Sequence, residues 1–183
     1  MLILASGSPR RRELLGRITP DFTVRPTGCD EDLLCDDPAQ RVLELSRRKA
    51  RAADCAAADA VLAADTIVAL DGAILEKPAD SDDARRMLRL LSGRTHTVYT
   101  GVTLRRGAEE RSFYCATAVT FWPLEEDLLE NYVRSGEPLD KAGAYGIQGR
   151  GALLVRRIEG DFFNVMGLPV GQVYRALLEF GAL

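Results

Sequence analysis

Lysine and histidine are scarce in this chain. Of the 24 basic residues among 183, only Lys49, Lys77 and Lys141 are lysines, the rest are arginines, and His96 is the single histidine. The four cysteines, Cys29, Cys35, Cys55 and Cys115, include no C-x-x-C pair. With one histidine available, that excludes a zinc site of the usual Cys/His spacing. All four are expected as free thiols, with Cys55 and Cys115 in apolar stretches serving as packing residues. Excess positive charge is also missing: 27 acidic residues leave a net charge of -3. Nucleic-acid binding through bulk charge needs a basic face and is disfavoured, whereas a small anion responds to local charge only. No apolar run approaches the roughly 20 residues of a membrane span, and Met1 to Ala5 lack the basic flank and length of a secretory signal. No membrane partner is expected, and the expected compartment is the cytoplasm. There is no G-x-S-x-G motif and no Cys/His pairing, so a hydrolase triad has no support. His96 is expected as a structural residue at a strand start.

What is present is the mix of a globular protein, 46% hydrophobic and 28% charged. No internal repeat, low-complexity tract or long linker interrupts it, so residues 1–183 are expected to form one domain. Strand and helix patterns alternate, which reads as α/β. Residues 2–5 read as a short buried strand, and Ser8-Pro9 opens a helix with Ser as cap and Pro at its first position. A strand near 22–25 precedes the acidic loop Asp30-Glu31-Asp32. Asp37-Pro38 starts a helix expected to reach about Cys55. Residues 60–70 read as a central strand, Asp71-Gly72 as a hairpin turn, and Ser81–Leu91 as a helix. Residues 95–105 and 111–122 alternate like an antiparallel pair. A helix near 125–134, a Gly-rich segment 143–151, a strand near 152–158 and a helix near 170–180 complete the reading.

Several segments hold residues suited to chemistry. Ser6-Gly7-Ser8-Pro9-Arg10-Arg11-Arg12 joins the first strand to the first helix. Unpaired helix N–H groups, small residues and arginine forks together suit a phosphate. The same residues also suit a capped helix with solvated arginines. Lys49 falls on the apolar face of its helix with Val42, Leu45, Ala52 and Ala53, while Arg41, Glu44, Arg48 and Arg51 take the other. An inward ammonium needs a carboxylate or phosphate, unless it snorkels at the edge of the stripe. Asp65 interrupts an apolar strand and needs a cation, a metal or hydrogen-bond donors. It reads either as a candidate base or metal ligand or as a tie for a neighbouring loop. Lys77 sits beside Pro78, either aimed back at the strand ends or on the plain surface. Gln148, among glycines, offers a donor and an acceptor to a base edge, though such a run also suits an ordinary loop.

Taken together these segments resemble the Maf family of nucleoside triphosphate pyrophosphatases. The matching stretches are Leu4-Ala5-Ser6-Gly7-Ser8-Pro9-Arg10-Arg11, Ser46-Arg47-Arg48-Lys49-Ala50, Ala64-Asp65-Thr66-Ile67-Val68 and Leu75-Glu76-Lys77-Pro78. His96-Thr97-Val98-Tyr99-Thr100-Gly101, the long run from Ser135 to Gly149, and Asn164-Val165-Met166-Gly167-Leu168-Pro169 follow in order. The resemblance implies a two-lobed α/β fold around a long twisted mixed sheet, like that of the ITPases, with the site in a cleft between lobes. It implies hydrolysis of a nucleoside triphosphate to the monophosphate and pyrophosphate, with a divalent cation, Mg²⁺ or Mn²⁺, and a homodimer. By the same resemblance Asp65 is the general base, and Glu31 and Asp65 are metal or water ligands. Lys49 and Lys77 contact phosphate, with Ser6, Ser8 and Arg11 beside it. Arg10, Thr66 and Gln148 look like the subfamily acting on dTTP and UTP. The sister subfamily acts on 7-methyl-GTP and typically has tryptophan where Arg10 stands. Glu76 departs from the family's usual glycine and is expected to weaken the hold of Lys77 on phosphate. Two other readings stand beside this one: a regulatory module, linked to cell division, that binds nucleotide without turnover, and a nucleic-acid binder using the arginines of the first two helices. Lys141 has no role in the resemblance and is expected to pair with a nearby carboxylate.

Overall fold

A computed structural model describes residues 1–183. In chain order it contains β1 (Leu2–Leu4), α1 (Pro9–Gly16), β2 (Phe22–Val24), α2 (Pro38–Arg51), β3 (Ala60–Leu70), β4 (Ala73–Leu75) and α3 (Ser81–Leu91). Then come β5 (Thr95–Arg106), β6 (Glu109–Phe121), α4 (Glu126–Arg134), β7 (Val155–Glu159), α5 (Phe162–Met166) and α6 (Val170–Glu179). Short 3-10 turns occupy Glu137–Asp140, Ala142–Ala144 and Arg150–Leu154. The first helices start where local chemistry dictates. Ser8 accepts from the Arg11 amide and Asp37 from those of Ala39 and Gln40, each just before a proline. Asp80 caps α3 in the same way through the Asp83 amide.

The strands form one mixed sheet in the order β2-β1-β3-β5-β6-β7, with β4 attached to β3. β1 runs parallel to β2 and β3, and every other pairing is antiparallel. Side-chain alternation along β3 sorts the core. Leu62 and Ala64 join Leu14 and Leu15 of α1 and Val173 and Leu177 of α6 on one face. Val61 and Ala63 meet Ala50 and Ala53 on the other, under α2. Further along, Val68 and Leu70 pack with Leu88 and Leu91 of α3 and Leu129 and Val133 of α4. Asp65 and Thr66 lie where these clusters meet. By the same alternation Asp65 points toward α2 and Thr66 toward α1.

Two details position the site. β1 pairs with β3 only over Ala60–Leu62, and β4 on the same edge pairs only with Val68–Leu70. The stretch 63–67 therefore has no strand on that edge, and the sheet is open where Asp65 sits. Opposite Asp65 in the register is Gly101. A Cβ there would lie 2.3 Å from the Val42 carbonyl oxygen, so only glycine lets α2 press this closely onto the sheet. Two boundaries differ from the sequence reading. α2 ends at Arg51 rather than near Cys55, which leaves Ala52 exposed and outside the apolar stripe. The expected strand 152–158 begins only at Val155, opposite Phe121.

Candidate functional site

A cavity of about 740 Å³ opens at the gap in the sheet edge. It lies beyond the carboxyl end of β1, the place where open α/β sheets leave a crevice. Ser6, Ser8, Arg10, Arg11, Glu31, Lys49, Asp65, Thr66, Lys77 and Gln148 all line it. Residues spread over most of the chain thus converge, and Lys141 joins them, so all three lysines face one space.

A largely buried polar contact in the cavity is an ion pair. Lys49 Nζ donates to Asp65 Oδ1 at 2.6 Å and lies 3.1 Å from Glu31 Oε1. The Lys49 and Asp65 side chains are 12% and 10% exposed, that of Glu31 60%. The helical face that turned Lys49 inward has supplied it with two carboxylates. Both reach a single cationic nitrogen, so both are within reach of one cation. Hard oxygen donors of this kind suit Mg²⁺ or Mn²⁺, which commonly take one or two carboxylates and complete their shell with phosphate and water. No cluster of three or more His, Cys, Asp or Glu occurs that would hold a metal alone.

Arg11 is a strap as much as a ligand. Its Nε donates to the Gly167 carbonyl at 2.9 Å, Nη1 to Ser6 Oγ at 3.3 Å and Nη2 to Thr66 Oγ1 at 2.9 Å. Burial lowers its pKa from the ordinary arginine value, and Asp65 works against that shift. Thr66 shares a 2.9 Å hydrogen bond with Thr100, whose hydroxyl donates to the Asn164 carbonyl at 3.1 Å. The proton order follows: Arg11 donates to Thr66, Thr66 to Thr100, and Thr100 to the backbone. The Thr66 hydroxyl proton is therefore committed within the protein.

The loop Ser6-Gly7-Ser8 is both a cap and an open cradle. Ser6 Oγ accepts from the Ser8 amide at 3.2 Å, and Ser8 Oγ caps the Arg11 amide at 3.4 Å. The amides of Gly7 and Arg10 make no hydrogen bond within the protein and remain for an anion. Lys77 is exposed on the rim and makes no ion pair, so it too is available. Its neighbour Glu76 is paired with Arg41, which also donates to the Leu33 carbonyl. Arg41 was expected on the face of α2 opposite the apolar stripe; only 14% of its side chain is exposed there, because the segment before α2 folds back over it.

At the far end Gln148 is exposed, and its side chain makes no hydrogen bond within the protein. Arg10 Nη1 lies 3.5 Å from Asp140 Oδ2. Lys141 Nζ donates to Asp140 Oδ1 and to the Glu137 carbonyl, each at 2.6 Å, the pairing with a carboxylate that was expected. Glu137 and Asp140 also line the cavity, and residue-by-residue reading overlooked both. The lysine count and the matched run from Ser135 to Gly149 pointed into this segment without singling out either residue. His96 stands outside the cavity, 2% exposed and 2.8 Å from the Tyr145 hydroxyl. Burial alone lowers its pKa to about 4, consistent with a structural residue at the start of β5. All four cysteines are free thiols, and Cys115 is buried.

Similarity to known proteins agrees with this geometry. The family described as Maf-like protein matches residues 1–180. The chain is 56% identical over 185 residues to the dTTP/UTP pyrophosphatase of Moorella thermoacetica, covering 98% of this chain and 95% of that protein. It is 49% identical to the dTTP/UTP pyrophosphatase of Thermococcus onnurineus, with 99% and 98% covered. The figure for the dTTP/UTP pyrophosphatase of Bacillus velezensis is 48%, with 98% and 96% covered. Among solved structures, a HAM1 protein from Coxiella burnetii superposes with a TM-score of 0.52 at 13% identity, covering 97% and 98% of the two chains. That likeness bears on the fold alone.

Proposed function

The chain belongs to the Maf family, and from that premise we propose that it is a dTTP/UTP pyrophosphatase. It takes a pyrimidine nucleoside triphosphate and water and gives the nucleoside monophosphate and pyrophosphate. The observation that carries this reading is the gap in the edge of β3. It gathers Asp65, Glu31 and Lys49 with an unpaired Lys77 in one cavity of about 740 Å³. The relatives at 48% to 56% identity that are named for this activity support the choice of substrate.

In this reading the triphosphate, with about four negative charges, is met by Lys77, Arg10 and the free amides of Gly7 and Arg10. Lys49 swings from its carboxylate partners toward the phosphates, and Asp65 is released to a water molecule. Asp65 accepts the proton as the water oxygen bonds to the α phosphorus. The bond from that phosphorus to the bridging oxygen breaks, and pyrophosphate leaves. Glu31 and Asp65 would hold a divalent cation, which when bound offsets the charge on the phosphate oxygens. Gln148 meets the base, while Thr66 holds Arg11 in place beside the phosphates. A homodimer and a cytoplasmic location belong to the same reading and rest on the family. No helix is long and apolar enough to cross a membrane.

The test is a nucleotide panel of dTTP, UTP and 7-methyl-GTP with Mg²⁺ or Mn²⁺, with products identified. Release of pyrophosphate and monophosphate from dTTP and UTP is expected. Turnover of 7-methyl-GTP alone, or binding of dTTP without product, would overturn the reading.

A further inference from the structure

Glu137 lines the cavity, yet both oxygens of its carboxylate are engaged by the protein. Oε1 accepts from the Tyr132 hydroxyl at 3.1 Å and the Gly151 amide at 3.2 Å, and Oε2 from the Arg150 amide at 2.9 Å. Tyr132 is 2% exposed, and its oxygen in turn accepts from the Gly146 amide at 3.0 Å. One carboxylate thereby grips both ends of the segment 146–151, directly at Arg150 and Gly151 and through Tyr132 at Gly146. A Cβ on Gly149 would lie 2.5 Å from either carboxylate oxygen, so the loop closes over Glu137 only because that residue is glycine. Lys141 locks the turn itself by donating to the Glu137 carbonyl at 2.6 Å.

Gln148 sits between these fixed ends. Ile147 beside it is buried in the core, whereas the Gln148 side chain is exposed and unpartnered. We infer that Glu137 is a positioning residue for base selection: it sets the backbone of the loop so that the Gln148 amide faces the base of the nucleotide. This rests on the pyrimidine-triphosphate reading above and deepens it. Glu137 is not a general base here, because three donors already occupy its oxygens. It is not a phosphate ligand, because it bears the wrong charge. A carboxylate suits the task better than an amide, since it offers acceptors alone to a ring of donors.

The experiment compares Glu137→Gln, Gln148→Ala and the double variant with the unaltered protein. Glutamine has one acceptor oxygen and turns an NH₂ toward the same ring of donors. In Glu137→Gln the KM for dTTP is expected to rise about tenfold, with kcat changing less than about twofold. Inhibition by added inorganic pyrophosphate, which probes the phosphate end only, is expected to stay as it was. Gln148→Ala is expected to give a similar rise in KM, and the double variant little more than either alone, because both changes remove one function. Amide hydrogen exchange, which needs no turnover, is expected to quicken at Gly146, Arg150 and Gly151 and not in β3. KM effects that multiply independently, an equal loss in pyrophosphate inhibition, or unchanged exchange in the loop would each overturn the inference. If Glu137→Gln fails to fold, Tyr132→Phe cuts the same clasp at Gly146, and the same criteria apply. A protein that does not hydrolyse dTTP fails the functional reading instead, and the exchange measurement still decides whether Glu137 holds the loop.

Discussion

The two ends of the cavity hold their charges in opposite ways. At the phosphate end Lys49 bridges Asp65 and Glu31, Lys77 stands unpaired, and the amides of Gly7 and Arg10 are open. These contacts join side chains to side chains, and a polyanion can exchange them one for another. At the base end the Glu137 carboxylate is held by a hydroxyl and two backbone amides, and Lys141 by a carbonyl and Asp140. Those contacts fix the chain and leave Gln148 as the free group. In the proposed reading one end trades partners during the reaction and the other stays still while a base is read. Two of the three lysines, Lys49 and Lys77, fall at the end that trades partners. A compact ammonium on a flexible stem changes partners in a crowded space more readily than a planar guanidinium. Arg11 takes fixed work, and Lys141 is the one lysine that shares it.

The sharpest way to break the comparison is at Asp65. Asp65→Asn keeps the shape but loses the proton acceptor, and kcat for dTTP is expected to fall by about 10³-fold. Full turnover in that variant would remove Asp65 from the chemistry. Lys49→Arg comes next, with an expected loss of about a hundredfold, since a wide fork must sit between two carboxylates in a site only 12% exposed. Lys77→Arg on the open rim should lose only about tenfold. Equal, near-normal rates in both would mean that lysine is rare here for reasons unrelated to the site.

The base end offers a measurement through its foundation. His96 holds Tyr145, whose hydroxyl lies 2.8 Å away under the glycine-rich segment. Its pKa falls from 6.5 to about 4 in the folded protein. Between those values the unfolded chain binds a proton that the folded chain refuses, so stability drops as pH falls from 6.5 and levels off below 4. The loss amounts to about 3 kcal/mol at most. Urea unfolding of the unaltered protein and of His96→Gln should show this acid-dependent loss in the first and not in the second. Parallel curves would show that His96 titrates alike in both states.

The smallest effect is expected at Glu76. The sequence suggested that this carboxylate would weaken Lys77, but Arg41 takes up its charge. Glu76→Gly should therefore change the KM for dTTP by less than about twofold. A larger fall in KM would restore the original expectation.

Much of this was legible in local signals. Asp71-Gly72 places the hairpin that turns β3 into β4, and the bounds of α3 follow from Asp80 and the apolar spacing up to Leu91. Lys49 could be aimed inward because helical periodicity is local. What escaped depends on chain segments folding back over one another. The covering of Arg41 was not legible because nothing in a helical wheel shows that the segment before α2 returns over it. The clasp of Glu137 was hidden because two of its three partners are backbone amides 13 and 14 residues away, and an amide has no residue type to read. The late start of β7 has a similar cause. Residues 152–154 are apolar enough for a strand, but they lie in the 3-10 turn Arg150–Leu154, whose first two amides the clasp holds.

The central claim is that water, held at Asp65, attacks the α phosphorus. Hydrolysis of dTTP in ¹⁸O-labelled water with mass spectrometry of both products tests it most directly. The label is expected in the nucleoside monophosphate and absent from pyrophosphate. Label in the pyrophosphate would place the attack at the β phosphorus and contradict the account.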